Sequence, residues 1–318
     1  MTTFGDIVYQ LGGVPVGTGF GSVGLAGGDV YFVDVANGTS AGDGSKPDAA
    51  NSSVATAYGY TTSAKNDVVV LIASGSAWAP AAALTWANSY THLIGTGVPL
   101  PGEGARARIE AASSADITPV ITVSGTGNLF SGLKINNMHD AASDSGALVV
   151  SGSRNCFVNS MIFGMGSTTA GARAGSYSVN VTGRENYFER CTIGTDTVLR
   201  AAANGELLLW GSGPRNSFRD CKFASNSVTA GKFMVKVNVS TGDMRSTIFE
   251  DCLFYNYATD HAGTLTDAFS ITGARTHDII LKGNNILIGI DGWAANADTV
   301  EAAGPAPNAG YGVALKLT

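Results

Sequence analysis

Charge is scarce in this chain: Asp, Glu, Lys and Arg make up 14% of its 318 residues. Disorder needs the opposite balance, and here 44% of residues are apolar, so a packed globular body is expected. No apolar run approaches the roughly 18 residues of a membrane-spanning helix. Basic runs are missing too, and the net charge is −6, which argues against a nucleic-acid partner. Four cysteines are too few for a disulfide framework in a chain of this length. The opening MTTFGDIVYQLGGVPVG lacks the basic start and apolar centre of a secretory signal, so assembly in a reducing cytoplasm is expected. Glycine, by contrast, is abundant at 42 residues but follows no G-X-Y period. That excludes collagen and points to a β-rich protein with many tight turns.

One pattern recurs from about residue 120. It runs Ile121, Val123, Gly125, Asn128, Phe130, then Leu148, Val150, Gly152, Asn155, Phe157, then Val179, Val181, Gly183, Asn186, Phe188. The fourth copy is Leu207, Leu209, Gly211, Asn216, Phe218, with two extra residues before the Asn. A looser fifth copy runs Val237, Val239, Gly242, Phe249, and a sixth, Phe269, Ile271, Gly273, leads to Leu281. The phenylalanines at 130, 157, 188, 218 and 249 step by 27, 31, 30 and 31 residues. Alternation within each copy has period two, so these pieces are strands. Leucine-rich, WD40 and Kelch repeats do not fit the pattern or its length.

A coil of three short strands per turn does, giving an all-β fold, a right-handed single-stranded parallel β-helix. Inward stacks are then expected at Leu133, Ser160, Cys191, Cys221 and Cys252, and at Ile135, Ile162, Ile193, Phe223 and Phe254. An asparagine column, Asn128, Asn155, Asn186 and Asn216, would sit in a turn with its amides bonded along the axis. Glu189, Arg219, Glu250 and Lys282 alternate in sign on the outside. Residues 1–28 read as an extended N-terminal arm and 29–66 as a cap with a short helix near 52–64. Residues 67–289 read as the coil, and 290–318 as a C-terminal loop and closing strand outside the repeat. The varying loops near 166–176, 196–206, 224–234 and 256–268 should project from one side.

The segment Tyr31–Pro47, YFVDVANGTSAGDGSKP, followed by the valine strand at 68–72 and HLIGTG at 92–97, resembles the opening of the pectate-lyase-like β-helix superfamily. The resemblance spans roughly residues 30–290 and is specific for fold rather than activity. The superfamily includes polysaccharide lyases, glycoside hydrolases and phage virion proteins. The arm ahead of the coil looks like the attachment segment of a virion protein, with Phe4, Ile7, Tyr9, Leu11, Val14 and Pro15 as contacts to a major capsid protein or another virion protein. The function expected is therefore a non-enzymatic structural protein of a bacteriophage particle, a capsid-decorating cement or head-spike protein with the coil projecting outward. The resemblance also implies a homotrimer. The alternative is a tailspike-like polysaccharide depolymerase or a glycan-binding adhesin.

An enzymatic reading needs two carboxylates about 5–9.5 Å apart. Asp260 and Asp267 are the best pair, with His261 and Asp291 nearby. Trp210, Tyr257 and Trp293 are candidate sugar-stacking platforms. The motifs of pectinase-type hydrolases and of calcium-dependent lyases are missing. The strand acids belong to the outer charge columns. No cofactor or metal is expected, because Cys191, Cys221 and Cys252 repeat at the coil period and read as a small-residue ladder rather than zinc ligands. His139, next to Asp140 and near Asp144, reads as part of a solvated loop, and Asp34 to Asp43 as an Asn/Gly/Asp turn.

Overall fold

The computed structural model describes residues 28–97, 107–211, 213–228, 232–238, 245–257, 265–273 and 279–294, together with the backbone of 10–11, 14–15 and 300–303. The coil is built from three parallel sheets of ten, seven and eight strands, called sheets 1, 2 and 3 below. A full turn visits them in that order. Leu129–Ser131 lies in sheet 1, Leu133–Asn137 in sheet 2 and Gly146–Val150 in sheet 3, and Cys156–Val158 returns to sheet 1. This is the right-handed parallel β-helix that the repeat predicts.

Stacking turns a sequence period into columns. Phe130, Phe157, Phe188, Phe218 and Phe249 lie in register in sheet 1 and are fully buried. Successive rings sit 4.6–4.9 Å apart and within 14° of parallel. That distance is the spacing of adjacent strands, so the sheet itself imposes the stack. Behind it run Ile135, Ile162, Ile193, Phe223 and Phe254, all dry. Cys191, Cys221 and Cys252 are buried free thiols whose Sγ atoms approach the carbonyls of Phe157, Phe188 and Phe218 at 3.4–3.5 Å.

The asparagine column is buried and holds one amide-to-amide bond of the ladder expected, Asn155 Nδ2 to Asn186 Oδ1 at 3.2 Å, while its other bonds go to the backbone. Each Oδ1 accepts the backbone N–H of the asparagine one turn earlier: Asn155 from Asn128 (3.0 Å), Asn186 from Asn155 (2.9 Å) and Asn216 from Asn186 (2.8 Å). The Nδ2 groups of Asn155, Asn186 and Asn216 donate to glycine carbonyls of the preceding turn, Gly125, Gly152 and Gly183. The side chain thus satisfies backbone groups that the corner leaves without strand partners. The outer charge column holds its register, with Lys282 Nζ 2.8 Å from Glu250 Oε1.

The coil is longer than 67–289. Val30–Asp34 pairs along its whole length with Val68–Ile72, so the first strand of sheet 1 lies inside the segment read as cap. At the other end Ile290–Ala294 extends sheet 3 and Val300–Ala303 extends sheet 1, where the repeat had been expected to stop. Neither strand carries the Phe and Asn markers, which is why the pattern broke there. The fifth copy is also shifted by two: Val235 and Val237, not Val237 and Val239, stand beside Leu207 and Leu209. A two-residue slip keeps the same face inward, so the alternation could not reveal it.

The expected capping helix is Val54–Tyr60, with Ser53 Oγ accepting the Thr56 N–H at its start. Val54 and Ala57 enter the core, and the Tyr58 ring lies 4.2 Å from that of Trp86. The residues between the first two strands of sheet 1 fold over its outer face and bury Phe32, Ala50, Val68 and Val70. Asp34 forms the turn there, accepting from the N–H groups of Ala36 and Asn37. Gly38 and Gly42 are required because a Cβ at either would lie within 2.5 Å of a backbone carbonyl oxygen. The family-like segment is therefore a structural element.

Candidate functional site

Because the stacked columns consume the strand side chains, chemistry is left to the loops. The most variable loops described all join sheet 2 to sheet 3, around residues 112–120, 138–145, 164–176 and 200–204, so they do line one corner of the coil.

Three groups stand out along this corner. In the first, His139 has no exposed surface, contrary to the solvated loop expected. Its neighbour Asp140 is engaged chiefly by the side chains of Thr169 and Ser167, which hold its pKa down. Nδ1 lies 3.1 Å from the Ala115 carbonyl oxygen and Nε2 lies 2.9 Å from Ser143 Oγ. Asp116 Oδ1 is 3.0 Å from Ser143 Oγ and 3.4 Å from His139 Nδ1. The backbone fixes the ring's surroundings, since Asn137 Oδ1 accepts the His139 N–H and Ser167 Oγ donates to the His139 carbonyl.

The second group is a buried ion pair. Arg200 Nη1 contacts Glu206 Oε1 at 2.9 Å, and each side chain is 1% exposed. Arg200 also donates to Asn204 Oδ1, the Asn204 carbonyl and the Phe233 carbonyl, while Ser178 Oγ donates to Glu206 Oε2. Burial pushes the Glu206 carboxyl up and the Arg200 guanidinium down, each opposed by the charge of the other. Every polar atom of this cluster is engaged within the protein, so it clamps the corner. Among described residues it is the one deeply buried pair of opposite charges, and nothing in the local sequence spacing announced it.

In the third, Asp267 lies in Leu265–Thr272 opposite Gly292, next to Asp291. Burial, and then the charge of Asp291, raise its pKa. Its expected companions, Asp260 and His261, lie outside the described residues. Ser143 and Asp267 belong to turns four strands apart in sheet 3, roughly 19 Å at about 4.8 Å per strand, so the first and third groups are separate.

The aromatic candidates divide. Trp210 and Tyr257 are 43% and 41% exposed, but they stand at different corners of the coil. Trp293 is partly buried: its ring packs edge-on to Phe254 at 5.5 Å and lies 6.3 Å from Phe269, against the core. Of the arm contacts, Phe4, Ile7 and Tyr9 lie outside the described residues. Leu11 pairs with Val14, and Gln10 with Pro15, in a two-stranded hairpin that joins none of the coil's sheets. No group of three or more His, Cys, Asp or Glu side chains gathers as a metal site among the described residues.

No family model matches the chain, and no curated protein sequence matches it. Solved structures do. Pectin methylesterase PemA from Erwinia chrysanthemi superposes with a TM-score of 0.52 at 16% identity, over 83% of this chain and 80% of that one. A pectin methylesterase from Aspergillus niger gives 0.49 at 13% identity, over 88% and 91%. ORF18 of Geobacillus virus E2 gives 0.48 at 14% identity, over 85% and 60%. At these identities the likeness to the Erwinia protein establishes the parallel β-helix fold and leaves activity to the residues themselves.

Proposed function

We propose that the chain is a structural protein of a bacteriophage particle, a capsid-decorating protein attached through its N-terminal arm with the coil projecting outward. The observation that carries this reading is the strand pairing of the described residues. Gln10–Leu11 and Val14–Pro15 pair with each other, while the coil's sheet begins at Val30 and the helix Val54–Tyr60 packs on its core. A two-stranded element outside the coil's sheets suits attachment to a partner, the major capsid protein or another virion protein. Ile286 and Ile288, 49% and 46% exposed on the outer face of sheet 2 beside Leu253 and Tyr255, supply an apolar patch for self-association as the homotrimer that the sequence resemblance implies. Deleting residues 1–27 should abolish co-sedimentation with capsids while leaving the circular dichroism spectrum of the coil intact. Retained binding would refute the arm's role.

A second reading is favoured by the raised carboxyl of Asp267 beside Asp291, and by the fold neighbours that act on pectin: a tailspike-like depolymerase or adhesin for a host-surface glycan, with Trp210 or Tyr257 as platforms. It predicts shortened oligosaccharides on incubation with host polysaccharide, and loss of that cleavage in Asp260→Asn or Asp267→Asn. Unchanged polysaccharide with the wild-type protein would remove the enzymatic form of this reading.

A further inference from the structure

We propose that Ser143 is an acyl-accepting nucleophile with His139 as its general base and Asp116 as the residue that positions and compensates the imidazole, giving the corner of the coil a carboxylic-ester hydrolase site. A structural role does not require this chemistry, so the two proposals stand or fall separately.

The argument begins with a tautomer. The Ala115 carbonyl can only accept, so His139 Nδ1, at 3.1 Å, must carry the proton. In the neutral ring Nε2 is then the lone-pair nitrogen, and facing it at 2.9 Å is the hydroxyl of Ser143, whose one proton has a second acceptor in Asp116 Oδ1 at 3.0 Å. A hydroxyl on the unprotonated nitrogen of a ring oriented from its other nitrogen is the activated-nucleophile arrangement. The carboxylate of Asp116, 3.4 Å from Nδ1, places negative charge where the imidazolium would form. Exposure is graded to suit: the base is wholly buried, the serine half-buried and Asp116 largely open to solvent. A substrate can therefore reach Oγ without displacing the ring.

In the reaction the Ser143 proton passes to His139 Nε2 as Oγ bonds to the ester carbonyl carbon. The tetrahedral oxyanion collapses, the bond to the leaving alcohol breaks, and the imidazolium returns the proton to that alcohol. Water repeats the sequence on the acyl-serine, releasing the carboxylic acid and restoring Ser143. An ester displayed on a polymer surface fits a nucleophile on an open corner, so O-acyl groups of a polysaccharide are the substrate class.

The test uses diisopropyl fluorophosphate on the full chain, with peptide mass mapping. Oγ–P bond formation releases fluoride and a proton, and a hydroxyl held only as a loop clamp does not react. We expect one adduct, on Ser143, absent in Ser143→Ala and formed about 100-fold more slowly in a folded His139→Gln variant. Asp116→Asn, a change at an exposed side chain, should keep the fold and slow labelling, with recovery in Asp116→Glu, because the carboxylate no longer compensates the charge that forms on the ring. An unlabelled wild-type protein, an adduct elsewhere, or a labelling rate untouched by Asp116→Asn would overturn the assignment.

Discussion

Replacing Asn186 by alanine probes the joint between turns. Asn186 Oδ1 accepts the Asn155 N–H at 2.9 Å and the Asn155 amide at 3.2 Å, and its Nδ2 donates to the Gly152 carbonyl at 3.1 Å. Alanine removes these bonds and leaves the Asn155 N–H and the Gly152 carbonyl without partners in a dry corner. At about 1–3 kcal/mol for each orphaned group, the loss should be about 2–6 kcal/mol. Asn186→Asp separates the two halves of this account. It keeps an acceptor for the Asn155 N–H but presents a carboxylate oxygen to the Gly152 carbonyl, so it should be at least as damaging at neutral pH. Below the carboxyl's pKa the protonated oxygen can donate, and part of the loss should return. Urea unfolding followed by circular dichroism, at pH 7 and at acid pH relative to wild type, reads both effects. An alanine variant that loses less than about 1 kcal/mol, the low end for one orphaned group, would refute the reasoning. So would an aspartate variant with the same relative stability at both pH values.

Other outcomes follow from the same structure. Arg200→Met leaves Glu206 buried without its counter-charge and should cost about 3–5 kcal/mol, whereas the double variant Arg200→Met, Glu206→Leu should recover most of it; thermal unfolding checks both. Gly194→Ala should destabilise the same clamp, since φ there is +90° and a Cβ would lie 2.5 Å from the Glu206 carboxyl carbon. His92 is buried and its Nδ1 accepts the Leu129 N–H at 3.1 Å, so burial lowers its pKa below the usual 6.5. Its contribution is present above pH 6.5 and is lost as pH falls through the lower folded-state value, and His92→Gln should flatten the acid limb of a stability profile. Thiol reagents should leave the native protein unmodified and titrate four cysteines after denaturation, because Cys191, Cys221 and Cys252 are buried and burial, followed by the charges of Cys191 and Glu189, pushes Cys156 up to about 12.

The coil was legible because stacking repeats the same environment at the same interval. Phe157, Phe188 and Phe218 each meet a ring above and below, so one side-chain type serves every turn. The sheet pairings confirm what the intervals implied, including the outer alternation of Glu189, Arg219, Glu250 and Lys282. The ends were less legible, because among the described residues Val30–Asp34 and Ile290–Ala294 have a neighbour of their own sheet on one side only and need not carry the full pattern. That the variable loops share one corner was legible, but the contacts within that corner were not. Ser143 follows His139 by four residues in a loop, Asp116 comes from the loop one turn earlier, and Asp140, the neighbour that drew notice, hydrogen-bonds to Thr169 and Ser167. Contacts between loops of unequal length have no period to read. Glu206 was hidden for a related reason: it opens the apolar strand Gly205–Trp210, and its partner Arg200 lies in the preceding loop.

The central claim, that the coil is carried on a particle by its arm, is tested most directly by cryo-electron microscopy of capsids assembled without this protein and then mixed with it. The account predicts ordered density at regular lattice positions, with residues 1–27 against the shell and the coil pointing away. Bare lattices at saturating protein, or coils lying flat with the arm unengaged, would contradict it.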